Sequence, residues 1–253
     1  MNRSYRSRYN SPSVSDRTMS PTPSTEISQH WWKSPIFLGS IFLGVSVVGA
    51  ILFIEFTTQR VIHIRADDSS DSAERYAEQR QQHCQASIQH YKPGDVAITI
   101  PFADRPVTTK NISISNSLSL VGQCKDTQRP IKSKQLGTSL VLLLERIQGV
   151  VQKQRSRHNL NPIVVTITIQ DAEPGQNQPK LDWNRVKELV HSITADKGAV
   201  AFMVEDEELQ NQLENQLTSE GDVQVCSFKN VSDCVNWGFE TGRNLGNHRQ
   251  VSK

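Results

Sequence analysis

The uncharged stretch over residues 36–54 constrains this chain more than any other feature. Its sequence, IFLGSIFLGVSVVGAILFI, is apolar all round, and Trp31 and Trp32 stand just before it. A helix of this length, at ~1.5 Å rise per residue, comes close to spanning a ~30 Å hydrocarbon core. Indole rings favour the membrane interface. We therefore predict one transmembrane helix over residues 36–56, so that the lipid bilayer is the first expected partner.

Two other readings of this stretch are weaker. A signal peptide has a shorter apolar core and a small-residue cleavage site after it. A buried core helix would be apolar on one face only. Within the stretch, Ser40/Gly44 and Ser46/Ala50 are small-xxx-small pairs of the kind that pack transmembrane helices, which is a hint of dimerisation.

Residues 1–35 are polar and rich in Ser and Pro, and we expect them to be disordered because they have little apolar surface to bury. Their net charge is +3, from Arg3, Arg6, Arg8, Arg17 and Lys33 against Asp16 and Glu26. A basic tail favours its own retention in the cytoplasm, with the following domain on the non-cytoplasmic side. The charges close to the span, which also include Arg60, Arg65 and Arg75, do not reinforce that orientation.

The overall composition hides these differences. The whole chain has 28 basic and 26 acidic residues, 36% hydrophobic residues and four cysteines in 253 positions. Its near-neutral charge leaves no basic footprint for nucleic acid. The cysteines contain no CxxC pair, which argues against a zinc site. Cys226 and Cys234 fall on the last predicted strand and helix, where they either form a bridge in an oxidising compartment or simply pack.

After residue 60, short β-branched runs alternate with helical patterns. Strands are predicted at 61–66, 96–100, 107–114, 163–169, 199–204 and 223–226, and helices at 73–91, 140–151, 183–193, 209–217 and 231–239. Such alternation is typical of a parallel sheet. We predict a doubly wound, mostly parallel α/β domain over 61–241, with helices on both faces in the Rossmann-like manner, and a flexible tail over 242–253.

Oxygen-bearing side chains follow the carboxyl ends of the predicted strands, where such sheets bind ligands. Asp68-Ser69-Ser70-Asp71-Ser72 follows the first strand, Thr138 precedes a helix, and Asp171 follows the strand at 163–169. Oxygen ligands without His or Cys suit Mg²⁺, Mn²⁺ or Ca²⁺.

This three-part pattern resembles the metal-ion-dependent adhesion site of von Willebrand factor type A domains, which has D-x-S-x-S, then a Thr, then an Asp. The resemblance extends over residues 61–241 and implies a vWA fold. It also implies a divalent metal, Mg²⁺ by preference, and a protein partner that supplies a carboxylate to it. The metal ligands it implies are Asp68, Ser70, Ser72, Thr138 and Asp171.

The resemblance is imperfect, and alternatives remain. Asp71 and Ala172 stand where the family usually has Gly, and a second register would begin the motif at Asp67. Asp68 and Ser70 are also residue types that cap helices without binding metal. The order of the acidic residues does not fit a phosphoacceptor receiver domain, and metal-dependent phosphate chemistry lacks a nearby Lys or Arg except Arg65.

We accordingly expect a single-pass membrane protein that is not an enzyme and that presents a vWA-like domain for protein–protein interaction or adhesion. The alternative is a metal-independent scaffold of a membrane complex with the same fold. The identity of the partner does not follow from the sequence.

Overall fold

A computed structural model describes residues 59–70, 73–103, 106–107, 112–114, 120, 124, 138–157, 161–172, 180–217 and 219–248. The predicted tail over 1–35 and the predicted transmembrane helix over 36–56 lie outside these residues. Within the described ranges, no helix is both long and apolar enough to cross a membrane.

Strands and helices alternate along the described chain. The strands are β1 (Ile62–Asp68), β2 (Val96–Phe102), β3 (Ile112–Ser113), β4 (Ile163–Ile169), β5 (Gly198–Val204) and β6 (Val223–Ser227). The α-helices are α1 (Ala77–His90), α2 (Leu140–Arg155), α3 (Trp183–Thr194), α4 (Glu207–Leu217) and α5 (Val231–His248). Single 3₁₀ turns at Glu74–Tyr76 and Phe228–Asn230 lead into α1 and α5.

The described strands form one sheet in the order β3-β2-β1-β4-β5-β6. All neighbouring pairs are parallel except β2 and β3, which are antiparallel at one edge. The predicted mostly parallel α/β sheet is therefore confirmed. The chain leaves β1 toward β2 but leaves β4 toward β5, so its direction of winding reverses between β1 and β4. Ligand sites of open α/β sheets lie at such a reversal.

Two hydrophobic cores cover the two faces of the sheet. Ile62, Ile64 and Ala66 of β1 contribute to the larger core, which contains residues of α2, α3 and α4. Helices α1 and α5 cover the opposite face, where Val164, Ala201 and Met203 join a smaller core. The predicted helices on both faces are thus present. Side chains alternate across a strand, so β1 sends successive residues into different environments.

The last helix is longer than the sequence pattern indicates. Residues 242–248, which we assigned to a flexible tail, continue α5 to His248, and residues 249–253 lie outside the described ranges. Arg243 explains the extension: it pairs with Asp95 at 2.7 Å and donates to the carbonyl oxygens of Gln59 at 2.6 Å and His90 at 2.9 Å. These partners lie far away in sequence, so no local pattern could reveal them.

Glycines let α5 approach the sheet closely. A Cβ on Gly238 would lie 3.2 Å from Val164 Cγ1, and a Cβ on Gly242 would overlap Val164 Cγ2. By contrast, a Cβ on Gly149 of α2 would meet no atom within 4 Å.

We expect Gly242→Ala to lower the free energy of unfolding by about 1–3 kcal/mol, because the added methyl group overpacks the contact with Val164. Gly149→Ala is the matched control and should be neutral or stabilising by up to about 1 kcal/mol, since alanine favours helices. Urea denaturation of both variants tests this. Equal effects would show that α5 does not depend on close approach to β4.

Candidate functional site

Asp68 ends β1 at the reversal of winding, beside the end of β4. Its carboxylate accepts a hydrogen bond from the Ser70 amide at 3.0 Å and another from the Gln170 amide at 3.3 Å. The side chain thereby joins the loop after β1 to the loop after β4. The residue is only 2% exposed. This one carboxylate thus connects two of the three loops that carry predicted ligands, the loop after β1 and the loop after β4.

The acidic groups at this edge influence each other. Burial raises the pKa of Asp68, the charge of Asp171 raises it further, and the hydrogen bonds from Ser70 and Gln170 oppose the rise. Asp171 is itself partly exposed. Two carboxylates in one crevice, one of them buried, form an arrangement whose repulsion a divalent cation would relieve.

Two of the other predicted ligands, Ser70 and Thr138, lie in described loops. Ser70 is buried in the loop after β1, and Thr138 is buried just before α2. Ser139 caps α2 by accepting a hydrogen bond from the Leu142 amide at 3.3 Å, which fixes the chain around Thr138. Because α2 packs on the face of β1 that holds Ile62 and Ile64, Thr138 enters from the same side of the sheet. Ser72 lies outside the described residues.

The donor set fits a hard cation. In the described ranges no group of three or more His, Cys, Asp or Glu could hold a metal. The predicted set has only two carboxylates, Asp68 and Asp171, and its other members are hydroxyls. Oxygen-only sets of this kind suit Mg²⁺ or Mn²⁺, which keep water ligands when few protein groups bind them.

The alternative register that begins at Asp67 is disfavoured, because that carboxylate is engaged elsewhere. Asp67 Oδ2 accepts from Arg65 Nε at 2.8 Å, and Oδ1 accepts from His83 Nδ1 at 2.7 Å and Thr168 Oγ1 at 3.2 Å. The residue is 1% exposed. Burial by itself raises the pKa of Asp67, but Arg65, His83 and Thr168 hold it below its usual range. Asp67 therefore stays ionised and fully paired.

A buried chain of hydrogen bonds continues from Asp67 across the sheet. His83 Nε2 lies 2.6 Å from Thr166 Oγ1, His63 Nε2 lies 2.8 Å from the same oxygen, and His63 Nδ1 lies 2.7 Å from the Tyr91 hydroxyl. An ionised Asp67 only accepts, so His83 donates to it, and Thr166 donates to His83. His63 then donates to Thr166, and Tyr91 donates to His63. Every group is satisfied when both histidines are neutral.

Burial keeps His63 and His83 neutral. It lowers the pKa of His63 well below the usual value and also lowers the pKa of His83, although Asp67 opposes both shifts. Both rings are fully buried. Sequence reasoning left His63 and His83 without a role. The available signal was the period-two series of polar residues His63, Arg65 and Asp67 inside an otherwise apolar strand.

The sequence pattern also gives no indication of a role for Arg80. This arginine of α1 is 2% exposed, and its guanidinium donates to the Ala73 carbonyl oxygen. Burial lowers the pKa of Arg80, while the charges of Asp67 and Asp68 raise it. Arg80 therefore links α1 to the end of the loop that carries the predicted D-x-S-x-S ligands.

The cysteines form two disulfides. Cys226 and Cys234 are bridged, which resolves the choice left open between bridging and packing, and Cys84 of α1 is bridged to Cys124. Together these bonds use all four cysteines of the chain. Such bonds persist in oxidising compartments and are rare in the cytosol of mesophiles.

Comparison with known proteins identifies the fold. No protein-family model matches the sequence, and no curated protein matches it. Among solved structures, a von Willebrand factor type A protein from Catenulispora acidiphila has a TM-score of 0.51 at 9% identity, covering 74% of this chain and 43% of that one. Proximal thread matrix protein 1 from the mussel byssus, with a zinc-occupied MIDAS motif, has a TM-score of 0.51 at 12% identity, covering 73% and 48%.

A third similar structure is an aerotolerance-related membrane protein from Bacteroides fragilis, carrying multiple mutations to serine. Its TM-score is 0.51 at 14% identity, and the match covers 71% of this chain and 98% of that one. By contrast, this chain spans about half the length of the mussel protein. These likenesses establish a vWA-like fold for the chain.

The neutral, buried histidines make stability depend on pH. Because the folded-state pKa of His63 and His83 lies below the unfolded value of ~6.5, the unfolded chain binds more protons in mild acid. We expect the free energy of unfolding to be unaffected by these groups above about pH 7.5. Below pH ~6.5 it should fall by up to about 1.4 kcal/mol per pH unit for each histidine.

Urea denaturation at a series of pH values measures this slope. His63→Gln should lower it by up to about 1.4 kcal/mol per pH unit, whatever that variant does to absolute stability, because one proton-binding difference is removed. His191→Gln, on an exposed side chain of α3, is the control and should keep the wild-type slope. A flat wild-type profile between about pH 7 and 5 would mean that the histidines are not held neutral.

Proposed function

We propose that this chain is a membrane-anchored protein whose vWA-like domain binds a protein partner through a divalent cation at the Asp68 crevice. The observation that carries the proposal is the junction made by Asp68, which joins the loop after β1 to the loop before Asp171 at the reversal of winding. This is the place where an open α/β sheet offers a ligand site.

Each residue has a distinct part in this proposal. Asp68 and Asp171 supply negative charge, and Ser70, Ser72 and Thr138 supply neutral oxygens. The bound cation would provide a Lewis-acidic position that accepts a carboxylate oxygen from the partner. The backbone amides of Ser70 and Gln170 fix the Asp68 carboxylate before any ligand arrives. Binding of this kind needs no reaction, in keeping with a role other than catalysis.

The proposal of membrane anchoring rests on the predicted helix over 36–56. The proposed orientation of the domain relative to the membrane rests on two independent features. The tail carries net charge +3, which favours the cytoplasm. The two disulfides favour an oxidising compartment for the domain. The similarity to a membrane protein from Bacteroides fragilis is consistent with anchoring. We therefore place the domain on the non-cytoplasmic side of a single-pass protein.

One observation favours the alternative, a metal-independent scaffold. Both oxygens of Asp68 already accept backbone hydrogen bonds, so the carboxylate has a structural use without metal. Asp71 and Ala172, at positions where the vWA family usually has Gly, point in the same direction. In that case the crevice would hold two loops together, and the domain would bind its partner by another surface.

Metal binding by the full-length protein distinguishes the metal-bridged contact from the metal-independent scaffold. We expect Mn²⁺ titration by calorimetry to show one site, weakened at least about 10-fold by Asp68→Asn or Asp171→Asn, since each removes one charged ligand at nearly constant shape. Asp233→Asn, an exposed carboxylate in the first turn of α5, is the matched control and should bind like the wild type.

Equal and negligible binding by all four proteins would reject the metal site and leave the fold intact. Partner capture that is insensitive to EDTA would then support the scaffold. Capture that EDTA abolishes, and that Mn²⁺ restores to the wild type but not to Asp68→Asn, supports the metal-bridged contact.

Protease treatment of sealed vesicles tests the orientation. With the domain inside the vesicle lumen, which corresponds to the non-cytoplasmic side, protease should trim the N-terminal tail and leave residues 57–253 intact until detergent is added. Digestion of the domain in sealed vesicles would place it in the cytoplasm and contradict the proposal.

A further inference from the structure

A second concave site lies on the same edge of the sheet, beyond the ends of β5 and β6. It is a groove of about 870 Å³. Its walls come from the start of α1, the first turns of α4 and the 3₁₀ turn before α5. Volumes of this size are typical of sites that hold small molecules or short chain segments. None of the four predicted metal ligands that the structure describes, Asp68, Ser70, Thr138 and Asp171, lines it.

The groove is unusual in its side-chain chemistry. Among the described residues that line it, five carboxamides outnumber every other side-chain type: Gln79, Gln82, Gln210, Asn211 and Asn230. A carboxamide offers both donors and acceptors in one planar group. A ligand that matches such a wall must also donate and accept at many points, as neighbouring hydroxyl groups do.

Two aromatic rings provide the apolar part of the groove. Tyr76 and Phe228 lie edge to face with their centroids 5.5 Å apart. Burial and the neighbouring Glu205 carboxylate raise the pKa of the Tyr76 hydroxyl, and both residues line the groove. Aromatic rings offer a broad apolar surface on a rigid side chain, suited to the C–H face of a pyranose ring.

Charge in the groove is mixed and small. Glu205 and Glu207 are balanced in part by Lys229. This excludes the concentrated positive charge that a phosphate-rich or otherwise strongly anionic ligand requires. A neutral polar ligand fits the small net charge of the groove.

Gln79 adds a specific indication. Its Oε1 atom is shielded from solvent and accepts no hydrogen bond from the described part of the chain. Buried acceptors of this kind are rare, because an unmet hydrogen bond is costly. The terminal torsion of glutamine is soft. A donor hydroxyl in the groove could therefore satisfy this oxygen after a small rotation.

We infer that this groove, which we call the amide groove, binds a segment of neutral oligosaccharide. The carboxamides bond the sugar hydroxyls, and the Tyr76 ring, supported edge to face by the buried Phe228, packs against the sugar face. A peptide segment is a poorer match, since the groove offers no deep apolar pocket for side chains beyond the two rings. The inference does not depend on metal at the Asp68 crevice.

The test uses the full-length protein in a detergent without a sugar head group. It is applied to an array of neutral oligosaccharides, including hexamers of glucose, mannose and N-acetylglucosamine, with linear hexapeptides printed in parallel. We expect binding to at least one saccharide with a Kd of about 1 mM or tighter, unchanged by EDTA. Saturation-transfer NMR with the best saccharide gives the affinities of the variants.

Asn211→Ala and Asn230→Ala remove exposed amides of the groove, and each should weaken saccharide binding about 3–10-fold. Asn215→Ala, an exposed amide on the same helix outside the groove, is the matched control and should bind normally. The inference is overturned by the absence of saccharide binding, by binding to hexapeptides only, or by equal losses in Asn211→Ala and Asn215→Ala.

Discussion

The alternation of side chains along β1 is the constraint on which the rest of this structure depends. Adjacent carboxylates, Asp67 and Asp68, leave the strand toward opposite faces. Asp67 ends in a dry network with Arg65 and His83, where it is fully paired. Asp68 ends in the crevice between the loops after β1 and β4. A shift of one residue in the pairing of β1 would exchange these two environments and destroy both.

The buried network and the candidate site support each other through this strand. Asp67 is held at the end of β1 by its ion pair with Arg65, and Asp68 by its hydrogen bonds to loop amides. The hydrogen bond from Arg80 to the Ala73 carbonyl oxygen holds the far end of the following loop. A buried ion pair is weak evidence for stability, but loss of one partner is costly because a charge is left unpaired in a dry site. The network thus holds the end of β1, with Asp68, in one position.

The carboxyl edge of the sheet carries two sites of different chemistry. The Asp68 crevice has carboxylates and hydroxyls on the side covered by α2, whereas the amide groove has carboxamides and aromatic rings and includes residues of α1. Their proximity follows from the fold, since Glu205, which lines the groove, donates its amide to Ile169, two residues before Asp171.

The sequence by itself determined the elements and their class. Apolar β-branched runs separated by helical patterns predicted the parallel sheet, because these periodicities follow from backbone geometry alone. The oxygen-rich strand ends likewise predicted Asp68, Ser70, Ser72, Thr138 and Asp171 as site candidates, and the structure describes all of these except Ser72. Only the tertiary structure decided that the Asp67 carboxylate is hydrogen-bonded to His83 and Thr168. It also decided that the contacts of Arg243 extend α5 and which cysteines form disulfides. Most of those contacts join residues that are distant along the chain, and even for Cys226 and Cys234, which are eight residues apart, no local pattern records whether they pair.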